Sequence, residues 1–166
     1  MLRDQVDPIE RAHWMTELVY GTLTALIAIA GIEVAGGASP TGAGAIVLVG
    51  AAATWLAHAY AGLLGRRAAP GHPESEAQIG HALRRAWPIL LAAIPSVVAL
   101  GGASVGLWSS EAALTFSNIA GIAVLAGAGY LAARAGGATL GGRLTSTVVT
   151  ASIGAGIVAV ERLIHQ

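Results

Sequence analysis

The chain alternates five long apolar runs with short polar connections. Each run has about the 20 residues that an α-helix needs to cross roughly 30 Å of hydrocarbon. The longest polar connection, 66–87, is too short for a separate soluble domain. The sequence therefore predicts an all-α fold in which residues 1–166 form one membrane domain, a bundle of five transmembrane helices. The predicted spans are 14–34, 45–64, 88–107, 112–133 and 144–160.

Composition supports a lipid environment and narrows the chemistry. Hydrophobic residues make up 55% of the chain and charged residues 11%, so lipid is the expected solvent. The absence of Cys excludes disulfides, iron–sulfur clusters and thiolate nucleophiles. Ser, His and acidic residues are too dispersed for a catalytic triad, so we do not expect an enzyme. A net charge of zero argues against a nucleic-acid partner.

Basic residues predict the orientation. All nine basic residues are Arg, and eight of them precede the first span or lie in the second-to-third and fourth-to-fifth connections. Because connections rich in Arg stay in the cytoplasm, we expect the amino terminus inside and the carboxyl terminus outside. Arg without Lys, with abundant Ala and Gly, is typical of a GC-rich bacterial genome. This predicts a multi-pass protein of the bacterial plasma membrane.

The first helix carries a polar stripe. The segment Asp7-Pro8-Ile9-Glu10 combines an N-cap acid, a Pro at the first helical position and an acid at the third, which predicts a helix start at Pro8. Spacings of three and four residues place the following polar side chains on one helical face. They are Glu10, His13, Glu17, Tyr20 and Thr24. His58 lies at a comparable depth in the second span, so it can meet Glu17 and Tyr20.

Two interpretations of these polar residues stay open. Ionisable groups inside a membrane are costly, which favours an ion pathway with Glu17, Tyr20 and His58 as its inner site and Glu33 as its outer site. Glu10, His13, Glu17 and His58 also have the ligand types of a divalent metal site, with the metal ion as substrate and no resident cofactor. In the alternative, the first helix begins in wet headgroups, His58 bonds a neighbouring helix, and Glu33 snorkels to the surface.

Small residues predict close helix packing in the last span. Ala151 and Ala155 lie four residues apart, with Gly154 beside them. Small residues at this spacing let two helices approach closely in a membrane. The partner is either another helix of the chain or a second copy, and we expect a homo-oligomer in the lipid bilayer.

The arrangement resembles the vacuolar iron transporter family over most of the chain. The resemblance is clearest at Tyr60 and Arg67, which close the second span. It is also clear where Gly136-Gly137 and Gly141-Gly142-Arg143-Leu144 lead into the small-residue helix that ends Glu161-Arg162-Leu163-Ile164. It implies a dimer that exports ferrous or manganous ions against protons.

Three departures from that family bear on its chemistry. Tyr20 or Thr24 stands where the family has an early aspartate in helix one, and Ala59 stands where it has a glutamate before the second-span tyrosine. The large acidic insertion of the family is absent. The stretch Trp55-Leu56-Ala57-His58 resembles small uncharacterised bacterial integral membrane proteins equally well.

The sequence therefore supports two functional hypotheses. The leading one is a homo-oligomeric transporter or channel for a small cation, either a divalent metal ion or a proton. The alternative is a non-transporting membrane scaffold or accessory subunit whose Gly and Ala faces bind partner helices.

Overall fold

The computed structural model describes residues 8–67 and 76–164, and the secondary structure there is entirely helical. The all-α prediction is confirmed for these residues. Pro8 is the first described residue and is helical, so the predicted helix start there stays a prediction; Asp7 and residues 68–75 of the second-to-third connection lie outside the described residues. The helices are α1 (Pro8–Val34), α2 (Pro40–Arg67), α3 (Glu76–Arg85), α4 (Pro88–Ser104), α5 (Ser110–Ala135) and α6 (Leu140–Ile164).

Four helices, α1, α2, α5 and α6, are long and apolar enough to cross a membrane. At 17 residues, α4 is about 26 Å long, which falls short of the hydrocarbon thickness. The helices α3 and α4 meet at a bend of 44°. They form a fifth candidate span only if the bent pair is taken together as one span. The chain is thus a multi-pass integral membrane protein with four or five candidate spans.

The third predicted span is shorter than the apolar run suggested. Gly106 adopts a φ of 80°, a left-handed conformation that favours glycine. The Leu107 N–H donates to the Gly102 carbonyl at 3.0 Å, which closes the last turn of α4 as a Schellman motif does. The helix therefore ends at Ser104, although the apolar sequence continues beyond it.

The centre of the bundle is formed by α1 and α4. Both contact α5, and both contact α2, while α6 packs mainly on α5 and partly on α1. Ile29, Val47 and Leu100 are among the fully buried side chains of the shared core. Only 6% of the α6 span is buried, against 39% of the α1 span, so α6 lies at the edge of the bundle.

Small residues set the contact between α5 and α6. A Cβ on Gly129 would lie 2.8 Å from the backbone carbonyl oxygen of Ser146, which cannot rotate away, and a Cβ on Gly154 would force the Leu125 side chain to move. Ser146 Oγ donates to the Gly129 carbonyl at 2.9 Å across the same contact. Ala151 is half-buried, whereas Ala155 is exposed and faces away from the chain's own core. Its predicted contact with a second copy stays a prediction.

The short helix α3 packs against α2. Trp55 Nε1 donates to the Leu83 carbonyl at 2.9 Å, and the buried Ala82 and Ala86 form a small cluster with Trp55 and Ile89. Arg84 and Arg85, on its last turn, are exposed. One end of the bundle contains the start of α1, the end of α2 and the helix α3. We refer to it as the α3 end.

Candidate functional site

A buried carboxylate bridges two histidines at the α3 end. Glu17 on α1 is 1% exposed. Its Oε1 lies 3.2 Å from His13 Nε2, one turn earlier on the same helix. Its Oε2 lies 3.2 Å from His58 Nε2 on α2. The structure thus brings His58 and Glu17 together, and it adds His13 to them.

Helical spacing and neighbouring helices explain this geometry. His13 and Glu17 are four residues apart, so their side chains lie on one face of α1. That face meets α2, where the small side chain of Ala59 leaves room beside His58. Tyr20, one turn further along, lies with its ring centroid 5.0 Å from that of His58 at a tilt of 47°. Tyr20 itself is 46% exposed and covers the imidazole.

The electrostatics of Glu17 depend on the two imidazoles. A carboxylate removed from water is costly unless charges or hydrogen bonds compensate it. His58 Nε2 is within ion-pair distance of Glu17 Oε2, yet that oxygen makes no hydrogen bond of regular geometry among the described residues. The contact is therefore electrostatic, without an aligned N–H, and Oε2 can still accept a donor.

A cavity of about 220 Å³ opens beside the cluster. Glu17, His13 and His58 line it together with Arg85 from α3. The rest of its wall consists of small residues, which are Ala59, Ala61, Gly62, Ala82 and Ala86. On its other side, His58 also lines an open groove with Tyr20 and Thr54. His58 and Ala61 line both recesses, so the cavity and the groove are neighbours at the α3 end of the bundle.

The predicted metal ligands converge only in part. Glu10 is exposed and does not line the cavity, whereas His13, Glu17 and His58 do. Among residues 8–67 and 76–164, no group of three or more His, Asp or Glu side chains is arranged to hold a metal ion. The two carboxylate oxygens of Glu17 each face an imidazole. The metal site stays a prediction, and the geometry suits proton exchange better than convergent coordination.

The polar stripe on α1 is shorter than the spacing suggested. Thr24 is half-buried, and its hydroxyl donates at 3.0 Å to the Tyr20 carbonyl, within the helix. Glu10 points to the exposed surface before the bundle closes around α1. Only the middle of the stripe, from His13 to Tyr20, meets α2.

A second acidic residue lies near the other end of α1. Glu33 is half-buried, and Asn118 Nδ2 of α5 donates to its Oε1 at 3.4 Å. At 100° per residue, Glu33 and Glu17 project about 160° apart, so one faces α5 and the other faces α2. Neither Asn118 nor Arg85 was singled out from the sequence as a site residue. The signal for Asn118 was a lone amide within an apolar span.

Comparison of the chain with protein-family models, with curated proteins and with solved structures gives no match. The resemblances to vacuolar iron transporters and to small bacterial membrane proteins therefore stay predictions. The fold and the site together define a multi-pass integral membrane protein in which a buried Glu17 carboxylate lies between two histidines.

Proposed function

We propose that the protein is a transporter or channel for a small cation, and that the cation is the proton. One observation carries the proposal: the Glu17 carboxylate, 1% exposed, lies 3.2 Å from an imidazole on each side. Ionisable residues within a membrane span mark ion or proton pathways more often than they serve packing alone. The cavity beside them gives this carboxylate a route to one side of the bundle.

The chemistry of the cluster supports proton transfer. Imidazole is the side chain whose charge changes near neutral pH, and it can take a proton at one nitrogen and release it from the other. His58 lines both the cavity and the groove beside Tyr20. A proton that enters the cavity can therefore pass between an imidazole and Glu17.

Apolar packing separates this site from Glu33. Leu26 and Ile29, 2% and 0% exposed, occupy α1 between the two acids. A proton needs donors and acceptors along its way, and these side chains supply none. Transport in the proposed mechanism thus requires a change in helix packing around α1, as in alternating access.

The proposal is tested by ion flux into liposomes that contain the purified protein. We expect proton uptake, followed by a pH-sensitive dye, to exceed that of empty liposomes. His58→Ala should reduce this flux about 100-fold, because it removes one of the two imidazoles that exchange protons with Glu17. Fe²⁺ and Mn²⁺ dyes in the same liposomes measure metal transport.

His81→Ala is the matched control, since His81 is exposed on α3 and does not line the cavity. It should transport protons like the unchanged protein. Absence of proton flux in correctly inserted protein would overturn the proposal. Metal flux that persists in His58→Ala would also contradict it, because transport would then bypass the cluster.

The scaffold hypothesis is favoured by a different observation, the exposure of α6. Its apolar span is 6% buried within the chain, and Ala155 lies on its exposed surface. We propose, as the second candidate, that this surface binds another copy of the chain or a partner helix. Small side chains there would permit close approach.

Ala155→Phe tests this second candidate. Since Ala155 is exposed on α6, the variant should keep its fold, but it should lose oligomers if α6 is the contact. Single-molecule photobleaching in liposomes counts the copies in each complex. Val149→Phe, at another exposed position of α6, is the control. Equal copy numbers for both variants and the unchanged protein would contradict an α6 interface.

A further inference from the structure

The amide of Asn118 is buried and only half satisfied. Asn118 is 6% exposed, and its Nδ2 donates to Glu33 Oε1 at 3.4 Å. Its Oδ1 is fully buried and has no hydrogen-bond partner among the described residues. A buried acceptor without a donor is destabilising. The contact between Asn118 and Glu33 therefore lacks a donor for Asn118 Oδ1.

A proton on Glu33 supplies that hydrogen. A carboxylic acid and a carboxamide pair through two hydrogen bonds, in which the acid O–H donates to the amide oxygen and the amide N–H donates to the acid carbonyl. The second of these bonds is present between Asn118 and Glu33. We propose that Glu33 and Asn118 form a proton-binding site, in which the Glu33 carboxyl takes up a proton and donates it to Asn118 Oδ1.

The end of α1 offers Glu33 no compensating positive charge. It lies in the last turn of the helix, where the carbonyl ends make the local potential negative. Ala35 and Gly37 donate their N–H groups to the carbonyls of Gly31 and Ile32, so these donors are not directed at Glu33. Among the described residues, Glu33 makes no ion pair. A proton is then the simplest neutralising charge.

Ionisable groups on the packed helices do not oppose this assignment. On α5, Glu111 is exposed about two turns before Asn118, while Tyr130 and Arg134 lie at the far end. On α6, Arg143 lies near the start, and the side chains of Glu161 and Arg162 lie outside the described residues. The helix α4 carries no ionisable side chain. On α2, His58 and Tyr60 lie toward the α3 end.

This inference deepens the proposed function, because it names a second proton-binding group in the half of the bundle opposite Glu17. It does not depend on flux. Glu17 and Glu33 are 16 residues apart on α1, a rise of about 24 Å. Protons held at Glu17 and at Glu33 would lie on opposite sides of the apolar segment between them.

The test is infrared difference spectroscopy between acidic and alkaline buffer, with the protein in lipid nanodiscs. Recording every spectrum in the Glu17→Gln background removes the other buried carboxyl. We expect a carbonyl stretch of a protonated carboxylic acid that appears at acidic pH and moves in deuterium oxide. The seven Asp and Glu residues other than Glu17 and Glu33 also protonate in acid, so the Glu33 band is the component that Glu33→Gln removes. The glutamine amide can still pair with Asn118, so the bundle stays folded.

Asn118→Leu keeps the acid but removes its amide partner. The band should then shift to higher frequency, because the carbonyl loses its donor. Glu111→Gln, an exposed acid of α5, should leave the band unchanged. A difference spectrum that Glu33→Gln leaves unchanged would overturn the proposal, and so would a Glu33 band whose frequency is the same with and without Asn118. The Glu17→Gln background removes the proposed transport site. The flux assay therefore tests the proposed function, and the infrared band tests the Glu33 site separately.

Discussion

Glu17→Gln should abolish proton flux in liposomes, with a loss of about 100-fold or more. Glu17 is the only acid that contacts both His13 and His58 among the described residues. The amide has nearly the same shape as the carboxylate, but it cannot carry a proton between the two imidazoles. Proton-selective dye measurements across a fixed pH gradient give the rate.

The same variant should remain folded. A neutral amide removes the cost of a buried charge, and it can donate to one imidazole and accept from the other. The imidazoles can adjust, because a neutral histidine has one donor and one acceptor nitrogen. Circular dichroism and the apparent melting temperature in detergent should therefore change little, which separates lost transport from lost structure.

Two variants on the same helix sharpen the result. Glu10→Gln removes an exposed acid outside the cavity, and it should transport normally. Glu17→Asp keeps the proton-binding group but shortens its reach to both histidines, so we expect intermediate flux. Unchanged flux in Glu17→Gln would show that the cluster serves only packing, as the alternative interpretation of the sequence holds.

The helices could be predicted from the sequence because apolar length is a property of each segment alone. The four long spans have nearly continuous apolar runs, and the structure places a helix over each. The end of α4 could not be found in this way. Gly106 and the backbone bond from Leu107 to Gly102 end the helix, although apolar residues continue on both sides.

In the candidate site, contacts within one helix could likewise be predicted from the sequence, whereas contacts between helices could not. The four-residue spacing of His13 and Glu17 placed them on one face, and this is a property of one helix. The contact of Asn118 with Glu33 joins residues 85 positions apart. It depends on the rotation of α5 against α1, which neither segment determines by itself. The position of Arg85 in the cavity similarly depends on how α3 packs.

Gly21→Ala should destabilise the bundle, whereas Gly31→Ala on the same helix should not. A Cβ on Gly21 would lie 2.7 Å from both the Cα and the carbonyl oxygen of Ile89, and this backbone cannot rotate away. Overpacking of this kind costs about 1–3 kcal/mol. Gly31 is exposed with nothing within 4 Å, so Ala there should be neutral or gain up to about 1 kcal/mol. Unfolding in graded denaturing detergent measures the difference.

The contact at Gly21 also supports the candidate site. Gly21 lies about one turn beyond Glu17, and Ile89 is the second residue of α4, directly after the bend from α3. Pushing α1 away from Ile89 would move the cavity wall formed by Ala86 and Arg85. Gly21→Ala should therefore lower proton flux as well as stability, and Gly31→Ala should change neither by much. Equal stability of the two variants would mean that α1 and α4 do not approach as closely as this contact requires.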